Sequence, residues 1–289
     1  MTVPTNSEAT LFRPLPVWHP KALYYGIFRL LLRSVGRLSK GIRLGLNYGF
    51  DSGVMLEYVY GNRAQGTTFV GRGLDRLYLN SVGWKGIRER GQILQQVLRE
   101  TLDQNRAQQI HSYLLDVACG GGRYDLEVLA QCPADSFSAT LRDYRRENIE
   151  KATQLAQQLG VSVTLEQADA FSDVALAQVQ PAPNIIVVSG LHEILPDNDL
   201  ICHHFRQLYE IMAPQGTLIY TIQPHHPQLE LIARTLNSHT GKPWVMRLRS
   251  LELTQEWARA AGFETFEVHQ GCYGIFGVVK TYKNATQVH

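Results

Sequence analysis

The 289-residue chain carries 44% hydrophobic and 19% charged residues, the proportions of a soluble globular protein with enough length for one large core or a medium domain with an added piece. Its net charge of +2 is unevenly spread: residues 1–50 hold Arg13, Lys21, Arg29, Arg33, Arg37, Lys40 and Arg43 against Glu8 alone, so this segment is +6 and the remainder −4. Cys119, Cys132, Cys202 and Cys272 lie far apart with no C-x-x-C spacing in a chain long enough not to need disulfides, which predicts a reduced, cytoplasmic protein; no apolar run approaches the ~20 residues of a membrane span, and residues 1–20 do not read as a leader.

From Lys21 to Leu46, Leu23, Ile27, Leu31, Leu38 and Ile42 recur at helical spacing, while Arg29, Arg33 and Arg37 form a basic stripe on another face. The segment predicts one basic amphipathic helix, or two separated at Gly36 or Gly41. Either it rests on an anionic membrane surface at the inner face, or it is a cap that packs its apolar side on the main domain and leaves its arginines in water. Residues 47–84 are rich in Gly and Tyr with poor periodicity and read as cap or lid; a helix follows over 87–102. The predicted boundary places residues 1–84 in the N-terminal cap and 85–289 in the main domain.

From Tyr113 short apolar strands alternate with amphipathic helices: strands at 113–118, 137–142, 161–166, 184–189 and 216–222, helices at about 122–131, 145–159, 172–179 and 199–212. Such alternation predicts an α/β, doubly wound Rossmann-like parallel sheet with helices on both faces. Helices near 226–238 and 252–261 precede strands at 263–269 and 272–280, an antiparallel hairpin at one sheet edge.

The strand Tyr113–Cys119 runs into Gly120-Gly121-Gly122 and then a helix, a junction where backbone approaches a ligand closely and a nucleotide-like ligand is expected. A dinucleotide site wants a third small residue where this chain has Asp125, and Asp116 at the mouth of the strand would repel a pyrophosphate while attracting the ammonium of an amino acid. Both details favour S-adenosylmethionine over NAD. Asp143 closes the second strand, placed for ribose hydroxyls or as a helix N-cap; Asp169 follows the third, placed for an adenine amino group, with Phe171 to pack on the ring.

Asp116-x-x-x-Gly120-x-Gly122, Asp143, Gln167-Ala168-Asp169 and Ser189-Gly190-Leu191-His192-Glu193 resemble the successive motifs of class I S-adenosylmethionine-dependent methyltransferases over about 113–280. More narrowly, Leu46–Gly53, Gly83–Arg88, Gly190–Asn198, Gln223–Glu230 and Trp244–Arg247 resemble a bacterial methyltransferase family whose members sometimes occur fused to an α/β-hydrolase domain. The resemblance implies seven strands with the last antiparallel, a helical N-terminal cap, and S-adenosyl-L-methionine as cofactor, giving S-adenosyl-L-homocysteine. The implied cofactor contacts are Asp116, Ala118, Gly120 and Gly122 at the first strand and Asp143 and Tyr144 at the second. Asp169, Ala170 and Phe171 follow the third strand, and Ser189 and Gly190 the fourth.

Methyl transfer relies on positioning and needs a base only when the acceptor loses a proton. His226 and Glu193 are the candidate bases, and His192, Tyr220, His225, Trp244 and Arg247 the candidate substrate contacts. The histidines lack metal-ligand spacing, so no metal is expected. The main domain lacks a basic stripe, so the acceptor is expected to be a small or lipid-like molecule and not nucleic acid. Two other readings stay open: an inactive cofactor-binding partner of another enzyme, and an NAD(P)-dependent oxidoreductase.

Overall fold

In the computed structural model, which describes residues 10–11 and 13–284, compactness divides the chain into two units. One holds the residues up to Arg88 together with His226–Arg247; the other holds Glu89–His225 and the chain from Leu248 onward. The boundary expected at residue 84 falls inside a helix, α5 (Val82–Ala107), and sequence reading did not assign 226–247 to the N-terminal unit.

The helical unit begins with α1 (Pro20–Arg33), a 3-10 turn (Val35–Leu38) and α2 (Lys40–Tyr48), so the basic segment is two helices broken at Ser34–Ser39. Residues 47–84, which lack clear periodicity, form α3 (Gly53–Gly61) and α4 (Phe69–Leu79) and enter α5. Their starts are set by side-chain caps: Ser39 accepts from Ile42 N, Ser52 from Met55 N and Thr68 from Gly71 N. Buried Asp75 ties these helices together, accepting from Ser39 Oγ at 2.5 Å, from the Gly41 and Gln65 amides at 2.8 Å each, and from the Tyr58 hydroxyl. The segment 226–247 is fixed to the same unit by Lys21 on Glu230 (2.7 Å), by Asp51 accepting from His239 N (2.6 Å), and by Phe50 N donating to the Asn237 carbonyl.

The other unit is a seven-stranded sheet in the order β3-β2-β1-β4-β5-β7-β6. Its strands are β1 (Ser112–Asp116), β2 (Phe137–Asp143), β3 (Thr164–Gln167), β4 (Ile185–Val188), β5 (Thr217–Ile222), β6 (Phe263–Gln270) and β7 (Gly277–Lys283). The first five pair in parallel, and β7 runs antiparallel to both β5 and β6. Between them lie α6 (Arg123–Leu129), α7 (Arg146–Leu159), α8 (Asp173–Ala177) and α9 (Asn198–Ile211), then α11 (Leu251–Ala261); α10 (Leu229–Thr235) belongs to the helical unit. The expected doubly wound architecture is present, with β3 shorter than anticipated and the last strand shifted to 277–283.

Period-2 alternation splits the central strands between two cores. Leu114, Leu141, Ile185 and Val187 join Leu94, Leu98, Leu126 and Ala152 on one face. Leu115, Ile186, Val188 and Leu218 join Phe205, Leu208 and Ala258 on the other. Each such side chain contributes about 1.5–3 kcal/mol over an exposed one. Two packed faces hold the carboxyl ends of β1, β2, β4 and β5 rigidly along one edge, the edge that carries ligands in open α/β sheets.

Candidate cofactor and transfer site

At the end of β1 Asp116 is fully buried: its Oδ1 accepts from Ala118 N (2.8 Å) and its Oδ2 from the Tyr124 hydroxyl (2.6 Å). Burial pushes its carboxyl up to about 7, and the buried Asp125 beside it is raised as well. The turn that follows uses left-handed backbone at Gly120 (φ +58°) and Gly122 (φ +67°). A Cβ on Gly120 would meet nothing within 4 Å, so that side of the backbone is open to a ligand; one on Gly122 would come 3.1 Å from Leu126 Cδ1 and 3.3 Å from Ala152 Cβ. One glycine frees an approach and the other lets the helix pack.

Asp143 at the end of β2 braces the same turn, accepting from Gly120 N through Oδ2 (3.0 Å) and from Arg145 N and Asn148 Nδ2 through Oδ1 (2.8 and 3.0 Å). It is not the N-cap of α7: that position is Arg145, and Asp143 makes an Asx-type turn ahead of the helix. Oδ2 receives one donor and has a lone pair to offer a ribose hydroxyl. Tyr144 beside it is exposed. Asp169 is exposed with Oδ1 accepting from Phe171 N, Ala170 is buried, and the Phe171 ring lies 4.5 Å from His204.

After β4 the chain turns through Ser189 and Gly190 (φ +71°), whose amide donates to Thr221 Oγ1 (2.8 Å). The Thr221 hydroxyl in turn donates to Glu193 Oε1 (2.6 Å), and Arg90 Nη1 stands 4.0 Å from that oxygen. Glu193 is 7% exposed, and its Oε2 is buried with no hydrogen-bond partner among the described residues. Burial raises its carboxyl, opposed by the Arg90 charge and the Thr221 bond. Arg249 clamps the loop: Nη1 donates to the His192 carbonyl (2.7 Å), Nη2 to the Leu195 carbonyl (2.7 Å) and Nε to Asn198 Oδ1 (2.9 Å).

Two expected substrate contacts point elsewhere. His192 is buried with Nε2 at 2.9 Å from His204 Nδ1 and its ring against Phe205, and burial holds both rings neutral, His204 down to about 3. Tyr220 is wholly buried edge-on to Phe205 (5.1 Å). Both serve the core, because alternation along β5 and the inward turn of the 189–198 loop send them to the packed face. His225 is exposed.

His226 lies in the helical unit. It is buried, and its Nδ1 accepts from Gln228 N (3.1 Å) at the start of α10, so the neutral ring carries its proton on Nε2 and has no lone pair to receive another. That tautomer makes it a donor, which weakens the expectation of a base there. A Cβ on Gly83 would sit 2.9 Å from His226 Nε2, so this glycine seats the ring. In the same unit half-buried Trp244 stacks on Trp84 at 6.0 Å, and Arg247 is half-buried. Thr221, Arg90, Tyr124 and Asn148 were not singled out from the sequence; Thr221 alone carries a positional signal, at the end of β5.

Residues 2–283 match the model of a family described as "Putative methyltransferase". The chain belongs to this methyltransferase family. It is 42% identical over 268 residues to the uncharacterized protein YnbC of Escherichia coli (strain K12), covering 92% of this chain and 46% of that one; the chain thus spans about half the length of that relative. A solved structure titled a possible exported protein from Bordetella parapertussis superposes with TM-score 0.60 at 17% identity, over 93% of this chain and all of that one. The magnesium protoporphyrin IX methyltransferase ChlM of Synechocystis PCC 6803, solved with bound SAH, superposes with TM-score 0.54 at 14% identity over 90% and 99%. At such identities these two show a shared fold.

The cofactor implied by this methyltransferase family and fold is S-adenosyl-L-methionine, and the residues fit it: an open glycine face, a buried carboxylate for the ammonium, and Asp143 beside the same turn. Asp143→Ala is expected to weaken cofactor binding by about 1.5–3 kcal/mol, roughly 10–150-fold, with Asp143→Asn intermediate because it keeps the shape and loses the charge. Calorimetric titration checks this; unchanged affinity in a folded Ala variant would leave Asp143 only a brace for the turn.

Proposed function

We propose that the chain transfers the S-methyl group of S-adenosylmethionine to an oxygen or nitrogen of a small or lipid-like acceptor, acting on the cytoplasmic side. The observation that carries this reading is Glu193, whose Oε2 is buried without a hydrogen-bond partner among the described residues while Oε1 is held by Thr221. Bound S-adenosylmethionine would supply an electrophilic methyl group to the acceptor lone pair and leave as the neutral thioether S-adenosylhomocysteine, and Glu193 would take the proton that the acceptor loses. A carboxylate raised by burial is a stronger base than one in water. Asp116 would hold the ammonium, Asp143 the ribose and Asp169 the adenine edge, with Gly120 and Ser189-Gly190 giving close backbone approach and Tyr144 packing on the cofactor.

The test incubates the protein with methyl-labelled cofactor and fractionated metabolite and lipid extracts. Label should enter one acceptor class with stoichiometric S-adenosylhomocysteine, and cofactor should raise the thermal midpoint where NADH does not. Absence of turnover with every fraction would sink the enzymatic reading; an equal shift with NADH would sink the cofactor assignment.

The same reading predicts a pH dependence. With its pKa near 7, Asp116 is protonated at low pH, and an ammonium ligand prefers the carboxylate, so binding must expel the proton. Cofactor affinity should therefore rise as pH increases, by up to tenfold per unit, and level off above about 7. Protein stability should move the other way: the folded chain holds a proton that the unfolded chain releases from about pH 4, so unfolding free energy falls as pH rises through the window from about 4 to 7. Titrations at pH 5, 6, 7 and 8 check the first sign; flat affinity would show that Asp116 does not meet the ammonium.

A further inference from the structure

Three arginines of the helical unit line a cavity of about 260 Å³: Arg29 and Arg33 on α1 and Arg37 on the 3-10 turn, over a floor that includes Leu32 and Phe50, with Asn237 at the side. The Phe50 ring lies so close over Gly45 that a Cβ there would fall 2.3 Å from it, so the floor is firmly packed. The cations have no carboxylate to answer them: none of the ion pairs among the described residues involves Arg29, Arg33 or Arg37. Neighbouring Lys21 and Arg234, by contrast, both pair with Glu230. Three like charges around one concavity favour an anion between them, and guanidinium groups suit a phosphate.

The same helix shows what kind of anion. Its inward residues are Tyr25, Phe28 and Leu32, buried or half-buried, while Leu23, Ile27, Leu30 and Leu31 are 67%, 51%, 67% and 52% exposed and fall on one opposite face. Trp18 and Val35 at the two ends are exposed as well. Of the two readings of this apolar stripe, exposure of Leu23, Ile27 and Leu31 favours the one at a membrane surface, while Tyr25, Phe28 and Leu32 hold the helix to its own unit. A soluble anion would account for the arginines and leave this apolar face unexplained. An anionic bilayer accounts for both, since apolar side chains enter the acyl boundary while cations meet headgroup phosphates.

We propose that α1 is an interfacial membrane helix and that the Arg29/Arg33/Arg37 cavity seats the phosphate headgroup of an anionic phospholipid. This reading is independent of the methyl-transfer chemistry.

The test is co-sedimentation of the whole chain with phosphatidylglycerol-containing vesicles and with neutral phosphatidylcholine vesicles, at 0.1 M and about 1 M salt. Two variants accompany the wild type: Arg29→Gln/Arg33→Gln/Arg37→Gln, and Leu23→Gln/Ile27→Gln/Leu31→Gln. All six side chains are exposed, so both variants should keep the thermal midpoint of the parent. Binding is expected on anionic vesicles only, weakened at high salt as screening shortens. The arginine variant should lose about fivefold per charge, on the order of a hundredfold in all, and the apolar variant should also fail to pellet. Equal binding to neutral vesicles, or retention by the arginine variant, would overturn the headgroup seat; retention by the apolar variant would overturn the interfacial helix. Displacement by millimolar glycerol 3-phosphate would show a site for a soluble anion instead. A chain that ignores all vesicles and self-associates by ultracentrifugation would show the apolar face to be a protein contact, which also overturns the proposal.

Discussion

Glu193→Gln is expected to slow methyl transfer by about 10²–10⁴-fold while leaving cofactor affinity and fold intact. The amide is nearly isosteric, and its oxygen still accepts the Thr221 hydroxyl that holds Oε1. What disappears is the basic lone pair at Oε2, which is buried with no partner among the described residues, and general bases contribute factors of that size. Burial raises the carboxyl while Arg90 at 4.0 Å restrains the rise, so wild-type activity should fall on the acid side as Glu193 takes up a proton. The Gln variant should lose that limb, a signature that a merely structural residue would not produce. Single-turnover rates across pH, with cofactor binding measured in parallel, provide the check. An unchanged rate would move the base elsewhere or show that the acceptor reacts without losing a proton.

Arg249→Leu should lower the unfolding free energy by about 2–5 kcal/mol. The guanidinium is buried and serves two backbone carbonyls and one side-chain oxygen at 2.7–2.9 Å; leucine restores much of the volume and none of the donors. Each buried carbonyl left without a partner costs about 1–3 kcal/mol. Arg249→Lys should recover only part of this, because one ammonium cannot fork to three acceptors spread along residues 192–198. The denaturant midpoint should fall with an unchanged slope. A loss under 1 kcal/mol would mean that the loop holds its shape without the clamp. Glu193 sits on this loop, so the Leu variant should also transfer methyl more slowly.

The sheet was legible because apolar runs such as Ile185–Val188 admit few other structures and because Gly120, Gly122 and three acids after successive strands mark the ligand edge. The antiparallel β7 was legible from two strands without a helix between them. Residues 47–84 were not, since α3 and α4 are short and begin at isolated caps, Ser52 and Thr68, that look like loop residues in the chain. Within the site, the chain shows residue types but not which way they turn. His192 and Glu193 are neighbours, yet one meets His204 in the core and the other meets Thr221. Thr221 and Arg249 act through partners 28 and 57 residues away, separations at which no local pattern survives.

The excursion of residues 226–247 into the helical unit has a consequence for how this gene can be cut. Within that unit, Asn237, His239 and Glu230 are bonded to Phe50, Asp51 and Lys21. A clone beginning at Glu89 would therefore carry a stretch whose partners it had discarded, with Trp244 deprived of Trp84. A clone ending at Arg88 would lack the piece that completes it. Neither half is a transferable cassette, so any recombination event that preserved folding would have to move both segments at once.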